Sequence, residues 1–155
     1  LFLARLVTGG PVLAFDISPL AIANTTARLK EHSLSQRVQL FLEDFRNLRS
    51  YISSPVAAIM FNLGYLPGSS RETATGARCS RQAIQEAVNL LRPGGVMTIV
   101  CYPGHEGGAE ETREVLAITG GFSQQEFEVL KVTFINQIHH PPLLVVVQRL
   151  EGGRM

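Results

Sequence analysis

Five residues packed into the segment "FNLGYLPG" (Phe61–Gly68) carry more chemistry than a turn requires. Asn62 brings an acceptor and donors together at the exit of an apolar run. Gly64 and Gly68 let a ligand come close to the backbone, and Pro67 stiffens the segment. Tyr65 offers a flat face for a ring or base. A second polar segment, "YPGHEGG", sets His105 and Glu106 among glycines. His105 there is a base, a phosphate contact or a turn residue. Two acidic residues end other apolar runs. Asp16 can accept two hydrogen bonds from a ribose diol, or cap the turn that Ser18 and Pro19 begin. Asp44 can receive an adenine amino group, or sit solvated in a turn. The His139–His140 pair precedes Pro141–Pro142 and reads as a pair of exposed turn histidines, with a phosphate contact as the alternative. No metal-ligand spacing is present, nor GxSxG, a phosphate-binding GxxxxGK[ST] or CxxC.

These residues need elements to hold them. "VLAFD", "RVQLFLED", "VAAIMF" and "VMTIVCY" are short apolar runs suited to buried strands. Between them lie "PLAIANTTARLKEHS", with Ser18 as N-cap and Leu20, Ala23, Ala27 and Leu29 on its apolar side, and "SRQAIQEAVNLL", starting near Ser80. "SSRETATGARCS" before that second helix reads as surface loop, and "FRNLRSYI" as a short helical turn. "AEETREVLAITG" is a helix with an acidic first turn, suited to the helix dipole. "FEVLKVTFINQ" and "PPLLVVVQRL" close the chain as strands. The "IHHPP" connection is too short for a parallel crossover, so these two pair antiparallel. Alternation of this kind predicts an α/β fold: a doubly wound, Rossmann-like, mostly parallel sheet with an antiparallel last strand. Ligands in such sheets bind beyond the carboxyl ends of the strands, where the polar residues above collect.

With 155 residues, 45% apolar and 17% charged, the chain is expected to form one domain over 1–150, with 151–155 as a frayed tail. Net charge is +1, which neither advertises nor excludes nucleic acid. Cys79 and Cys101 fit free thiols in a reducing compartment. No apolar run nears the ~20 residues of a membrane span, and no signal peptide is visible. "LFLARLV" begins as if mid-helix, closed by "TGG", so the N-terminal first strand of the fold is expected to lie upstream of Leu1.

The acidic strand ends, the Asn-x-x-Tyr strand exit and the antiparallel closing pair resemble a class I S-adenosylmethionine-dependent methyltransferase. More narrowly, "FDIS", "IMFNLGYLPG", "LLRPGG", "YPGHEGG" and "FINQ..HHPPLL" resemble the small bacterial and organellar family labelled rRNA methylases, across essentially the whole chain. "FNLGYLPG" and "GHEGG" in that order are its specific signals; "RPGG" and "FDIS" are generic to methyltransferases. The better-defined activity of the family is methylation of tRNA 5-(aminomethyl)-2-thiouridine at the wobble position. The resemblance implies S-adenosyl-L-methionine as cofactor, with Asp16 on its ribose, Ile17 beside the adenine and Asp44 at the adenine amino group. It implies Asn62, Leu63 and Gly64 at the methionine end and the target amine, with Asn62 and Tyr65 as the catalytic pair. Tyr65, Pro67 and Gly68 would face a flipped uridine, and His105 and Glu106 would border the same cavity. The implied partner is the tRNA anticodon stem-loop, with room for a homodimer, no membrane and no metal, in the cytoplasm or an organelle matrix (mitochondrion or chloroplast). The family's glycine-rich cofactor loop would precede Leu1, and Phe45 stands where many members carry a His. The alternatives are a small-molecule methyltransferase, a catalytically incomplete binding protein, and, more distantly, a nicotinamide-dependent Rossmann enzyme.

Overall fold

Short apolar runs alternating with amphipathic stretches do become strands and helices in the computed structural model, which describes residues 1–64 and 77–152. The chain divides into two compact units, Leu1–Leu48 and Arg49–Met155.

The first unit holds α1 (Phe2–Leu6), β1 (Val12–Asp16), α2 (Pro19–Glu31) and β2 (Val38–Leu42). β1 and β2 pair in parallel, in a register that sets Phe15 opposite Phe41. Their rings stack with centroids 4.8 Å apart. Ser18 caps α2 by accepting the Ala21 N–H, and Pro19 needs no donor partner at the first helical position. Two local expectations fail here. The "TGG" cap is absent, because α1 ends at Val7, whose backbone is extended. The inward face of α2 is carried by Ile22 and Leu29, two turns apart, while Leu20, Ala23 and Ala27 are exposed. Single methyl groups such as those of Ala23 and Ala27 gain little from burial and set no face, and Leu20 in the first turn is 69% exposed.

The second unit holds β3 (Val56–Leu63), α3 (Ala77–Val88), β4 (Leu91–Cys101), α4 (Gly108–Gly120), β5 (Phe127–Val132) and β6 (Leu143–Arg149). Its sheet runs β3-β4-β6-β5. β3 and β4 are parallel, and β6 runs antiparallel to both β4 and β5. β6 therefore slots between its parallel neighbours as the antiparallel closing strand. Met97, Ile99 and Cys101 alternate along β4, and Val145 and Val147 along β6; all five are buried. The spacing of Ser80, Ala83, Ile84, Ala87 and Val88 puts one stripe of α3 inside.

"RPGG" reads as the stop of the helix that runs through Leu91, but α3 ends at Val88 and the segment lies inside β4. It forms a bulge opposite Val56 and Ala58 of β3, so that Leu91 and then Val96 pair across it. Gly94 has φ +72°, and a Cβ on Gly95 would lie 2.8 Å from the Arg92 carbonyl, so both positions need glycine. The stretch "ARCS" is the first turn of α3 rather than loop. β5 ends at Val132, so "TFINQ" belongs to the connection, which leaves Phe134, Ile135 and Ile138 exposed.

Candidate functional site

The carboxyl ends of β3 and β4 lie side by side, with Asn62 paired to Val100 and Leu63 to Cys101. Just beyond them the chain departs twice. After β3, the Gly64 N–H turns back to donate to the Asn62 carbonyl at 2.9 Å. After β4, Tyr102 places its ring against Gly64, 3.6 Å from where a Cβ would stand. Asn62, Gly64, Tyr102, Gly104, His105, His140 and Pro142 line one open pocket of about 340 Å³ there.

The "YPGHEGG" segment is held by close packing that only glycine allows. A Cβ on Gly108, the first residue of α4, would sit 2.1 Å from the Tyr102 carbonyl and 2.9 Å from His105 Nε2. A Cβ on Gly104 would come 3.2 Å from the His140 carbonyl. Gly107 caps α4 in the left-handed region, φ +79°. His105 Nδ1–H donates to the Glu106 carbonyl at 2.8 Å, which fixes the ring beside the pocket.

The connection between β5 and β6 supplies the rest of the lining, His140 and Pro142. His139 and His140 both have positive φ, 64° and 54°. A non-glycine residue in that region costs on the order of 1 kcal/mol or more, and two in succession make a local concentration of strain. Histidine is one of the residue types that tolerates it better than most.

Within reach of the charge of His105, a lining residue, a carboxyl group is buried. Glu111 of α4 is 4% exposed and accepts a 2.5 Å hydrogen bond from Ser80 of α3, which is fully buried. Burial pushes the Glu111 carboxyl above its ordinary range, against the opposing effects of the Ser80 hydrogen bond and of nearby His105. Burial, reinforced by Glu111, also pushes the Cys101 thiol up to about 11, so Cys101 is no nucleophile at neutral pH.

The other expected residues divide by position. Leu63 is buried in the core and does not line the pocket, so only its backbone faces the strand end. Glu106 is exposed and outside the pocket lining. Tyr65, Pro67 and Gly68 lie outside the described residues. In the first unit, Asp16 ends β1 and accepts the Ser18 N–H at 2.8 Å through one carboxylate oxygen. Ile17 beside it is 47% exposed. Asp44 accepts from Arg46 Nε at 2.8 Å and Nη2 at 2.6 Å, and from the Arg46 N–H at 2.8 Å. Those hydrogen bonds hold its carboxyl below the usual carboxylate range, with burial opposing. Tyr102 falls at the end of β4 in the "YPGHEGG" segment, where the sequence collects polar residues, but no role is assigned to it there. Gly104, His140 and Pro142 are not singled out as site residues by the sequence; the "HHPP" turn reads first as exposed turn histidines, with a phosphate contact as the alternative.

A carboxylate can accept about four hydrogen bonds, so Asp16 keeps capacity for a diol after capping Ser18. Those free acceptor sites fit the two hydroxyl donors of a ribose. Among the described residues no group of His, Cys, Asp or Glu could hold a metal, and no helix is long and apolar enough to cross a membrane.

Comparison with known proteins agrees with this architecture. A crystal structure described as a "putative rRNA-methylase" from Clostridium thermocellum matches with TM-score 0.90 and 43% identity, over 96% of this chain and 81% of that one. A "putative methyltransferase" from Streptococcus mutans, in complex with SAH, matches with TM-score 0.82 and 33% identity, over 90% of this chain and 76% of that one. The fold is therefore the α/β methyltransferase fold, a mixed sheet with an antiparallel last strand. The chloroplastic tRNA (mnm(5)s(2)U34)-methyltransferase of Arabidopsis thaliana is 32% identical over 146 residues, 91% of this chain. The chain spans about half, 53%, of that relative's length. Residues 12–148 match the family described as "Putative rRNA methylase", and the chain belongs to that family.

Proposed function

We propose that this chain is an S-adenosyl-L-methionine-dependent methyltransferase domain acting on RNA, and that its reaction is N-methylation of the 5-aminomethyl group of the tRNA wobble 2-thiouridine. The observation that carries the reading is the pocket at the joined ends of β3 and β4, lined by Asn62 and Gly64, in a chain of this family. The tRNA methyltransferase relative and the SAH-bound neighbour support it.

The cofactor supplies an activated methyl group on a sulfonium centre. The chain's tasks are binding, orientation and exclusion of water. Asp16 holds the ribose through its remaining lone pairs, with Ile17 against the adenine and Asp44 at its amino group. Asn62, at the end of β3, accepts a hydrogen bond from the substrate amine and orients its lone pair. Gly64 leaves room at the reacting centre, and the Leu63 backbone faces the methionine end. Tyr65, Pro67 and Gly68, together with His105 and Glu106, bound the space for the acceptor nucleoside. Residues 1–150 act as one domain in this reading. The anticodon stem-loop is the bound part of the RNA, a homodimer is compatible with it, and the chain works in the cytoplasm or an organelle matrix.

The test is methyl transfer from labelled cofactor to tRNA bearing 5-aminomethyl-2-thiouridine. Label in the wobble nucleoside is expected, and Asn62→Ala should reduce kcat at least about tenfold, the size of one orienting hydrogen bond. Label that appears only in small metabolites would replace this reading with the small-molecule one.

A further inference from the structure

Two features of the β5–β6 connection have no role in the core. His139 and His140 hold consecutive left-handed backbone conformations, and Pro141 and Pro142 follow at once. The connection runs over 133–142, long enough to close without two consecutive non-glycine residues in the left-handed region, and proline after them locks the path. The result of this costly turn is specific. It brings the His140 carbonyl against Gly104, where no side chain would fit easily, and delivers His140 and Pro142 to the lining of the pocket that Asn62 and Gly64 also line. Strain that persists next to a pocket is more readily explained by what the residue does there than by packing, because both histidines are exposed.

The surfaces that meet there have a recognisable chemistry. Tyr102 and Pro142 offer flat apolar faces, while Asn62 and His140 supply hydrogen-bonding groups. A planar heterocycle with polar edges suits that combination: stacking binds any base, and edge hydrogen bonds select among them. The pocket is open, so a large polymer can present one such ring to it.

Resting on the proposed RNA methyl transfer, we propose that His140 is a specificity residue of this pocket: its imidazole hydrogen-bonds the polar edge of a pyrimidine base lying against Tyr102 and Pro142. The strained turn then serves to aim the imidazole.

Glycine separates the side chain from the turn. His140→Gly adopts positive φ without strain, so the turn is kept and only the imidazole is lost. His140→Asn also tolerates positive φ and restores a hydrogen-bonding edge. Steady-state methylation of tRNA bearing 5-aminomethyl-2-thiouridine is measured for the wild type and both variants, with cofactor affinity by calorimetry. The expected result is a KM for tRNA raised about tenfold in His140→Gly, the size of one lost hydrogen bond. Cofactor affinity and kcat at saturating tRNA should stay near wild type, and His140→Asn should recover most of the loss. An unchanged KM in His140→Gly, with the wild type active, overturns the role of His140 and leaves the proposed function standing. Equal losses of cofactor and tRNA affinity overturn it as well, since they mark a structural role. A wild-type chain that methylates no RNA overturns the proposed function, and this inference with it.

Discussion

The two compact units put similar residues to different uses. In Leu1–Leu48, the polar residues that end strands serve the next element: Asp16 accepts from Ser18, and Asp44 is clamped by Arg46. In Arg49–Met155, the strand ends open onto a pocket, and distant segments return to complete it. Burial differs as sharply. Among the described residues, the large side chains with less than 2% exposure, Ile84, Leu91, Met97, Ile99, Val145 and Val147 among them, all fall in the second unit. In the first, Ala4, Leu29 and Leu48 are the buried apolar residues. A polar residue at the carboxyl end of a strand is therefore an ambiguous signal by itself. What distinguishes a pocket residue from a cap is a second segment brought against it, as the Gly104–His140 contact does here.

The largest expected effect tests the contrast in burial. Ile84→Ala removes a fully buried side chain between α3 and the sheet and should cost about 3 kcal/mol in urea denaturation. Leu20→Ala, at a position 69% exposed on α2, should stay within about 0.5 kcal/mol. Leu29→Ala adds a check on the single-domain reading. If residues 1–150 act as one domain, it lowers the midpoint of the same cooperative transition that Ile84→Ala lowers. Two separate transitions would break that reading.

The next effect asks whether the acidic strand ends of the first unit do more than cap. Asp16→Ala should weaken cofactor binding about tenfold or more, the scale of a lost charged hydrogen bond. Asp44→Ala should weaken it less than about threefold, because Arg46 already occupies that carboxylate. Equal losses by calorimetry would mean that Asp44 contributes as much to cofactor binding as Asp16 despite Arg46, and would erase the distinction.

Much of the architecture was legible because hydrophobic period and connection length are local quantities. The strands Val56–Leu63 and Leu143–Arg149 are built on continuous apolar runs, and the antiparallel pairing of the last two strands followed from too little chain for a crossover. Asn62 and His105 were legible as strand-exit polar residues, and the structure brings both to one pocket. Three things were not. The order β3-β4-β6-β5 is a property of tertiary packing that no window of sequence reports. Glu111 reads only as a first-turn acid that suits the helix dipole, since nothing local shows that Ser80 of another helix will bury against it. His140 joined the pocket only through backbone angles and a contact to Gly104, both invisible in residue type alone.

Glu111 gives a pH signature that belongs to the second unit. Its carboxyl is raised above the ordinary 4.5, chiefly by burial. The folded state therefore holds a proton that the unfolded state has released, and stability falls as pH rises from about that value through the folded one. Glu111→Gln keeps an acceptor for the Ser80 hydroxyl without the charge. Thermal midpoints should favour the glutamine variant increasingly as pH rises, and the gap should close in acid. A gap that is constant with pH would mean that the buried group does not titrate.

The smallest effect is the mirror image in the first unit. Arg46 holds the Asp44 carboxyl below its ordinary 3.8, so the stabilisation exists above that pH and is lost as pH falls through the folded value. Arg46 is nearly half exposed in this pair, so Asp44→Asn should cost only about 0.5 kcal/mol at neutral pH. The difference should fade in acid and shrink in salt, because the pair is screened. Glu111 weakens the fold as pH rises and Asp44 weakens it as pH falls. Measured on the same pH axis, the two variants separate a carboxyl that is buried against Ser80 from one that is committed to a neighbouring arginine.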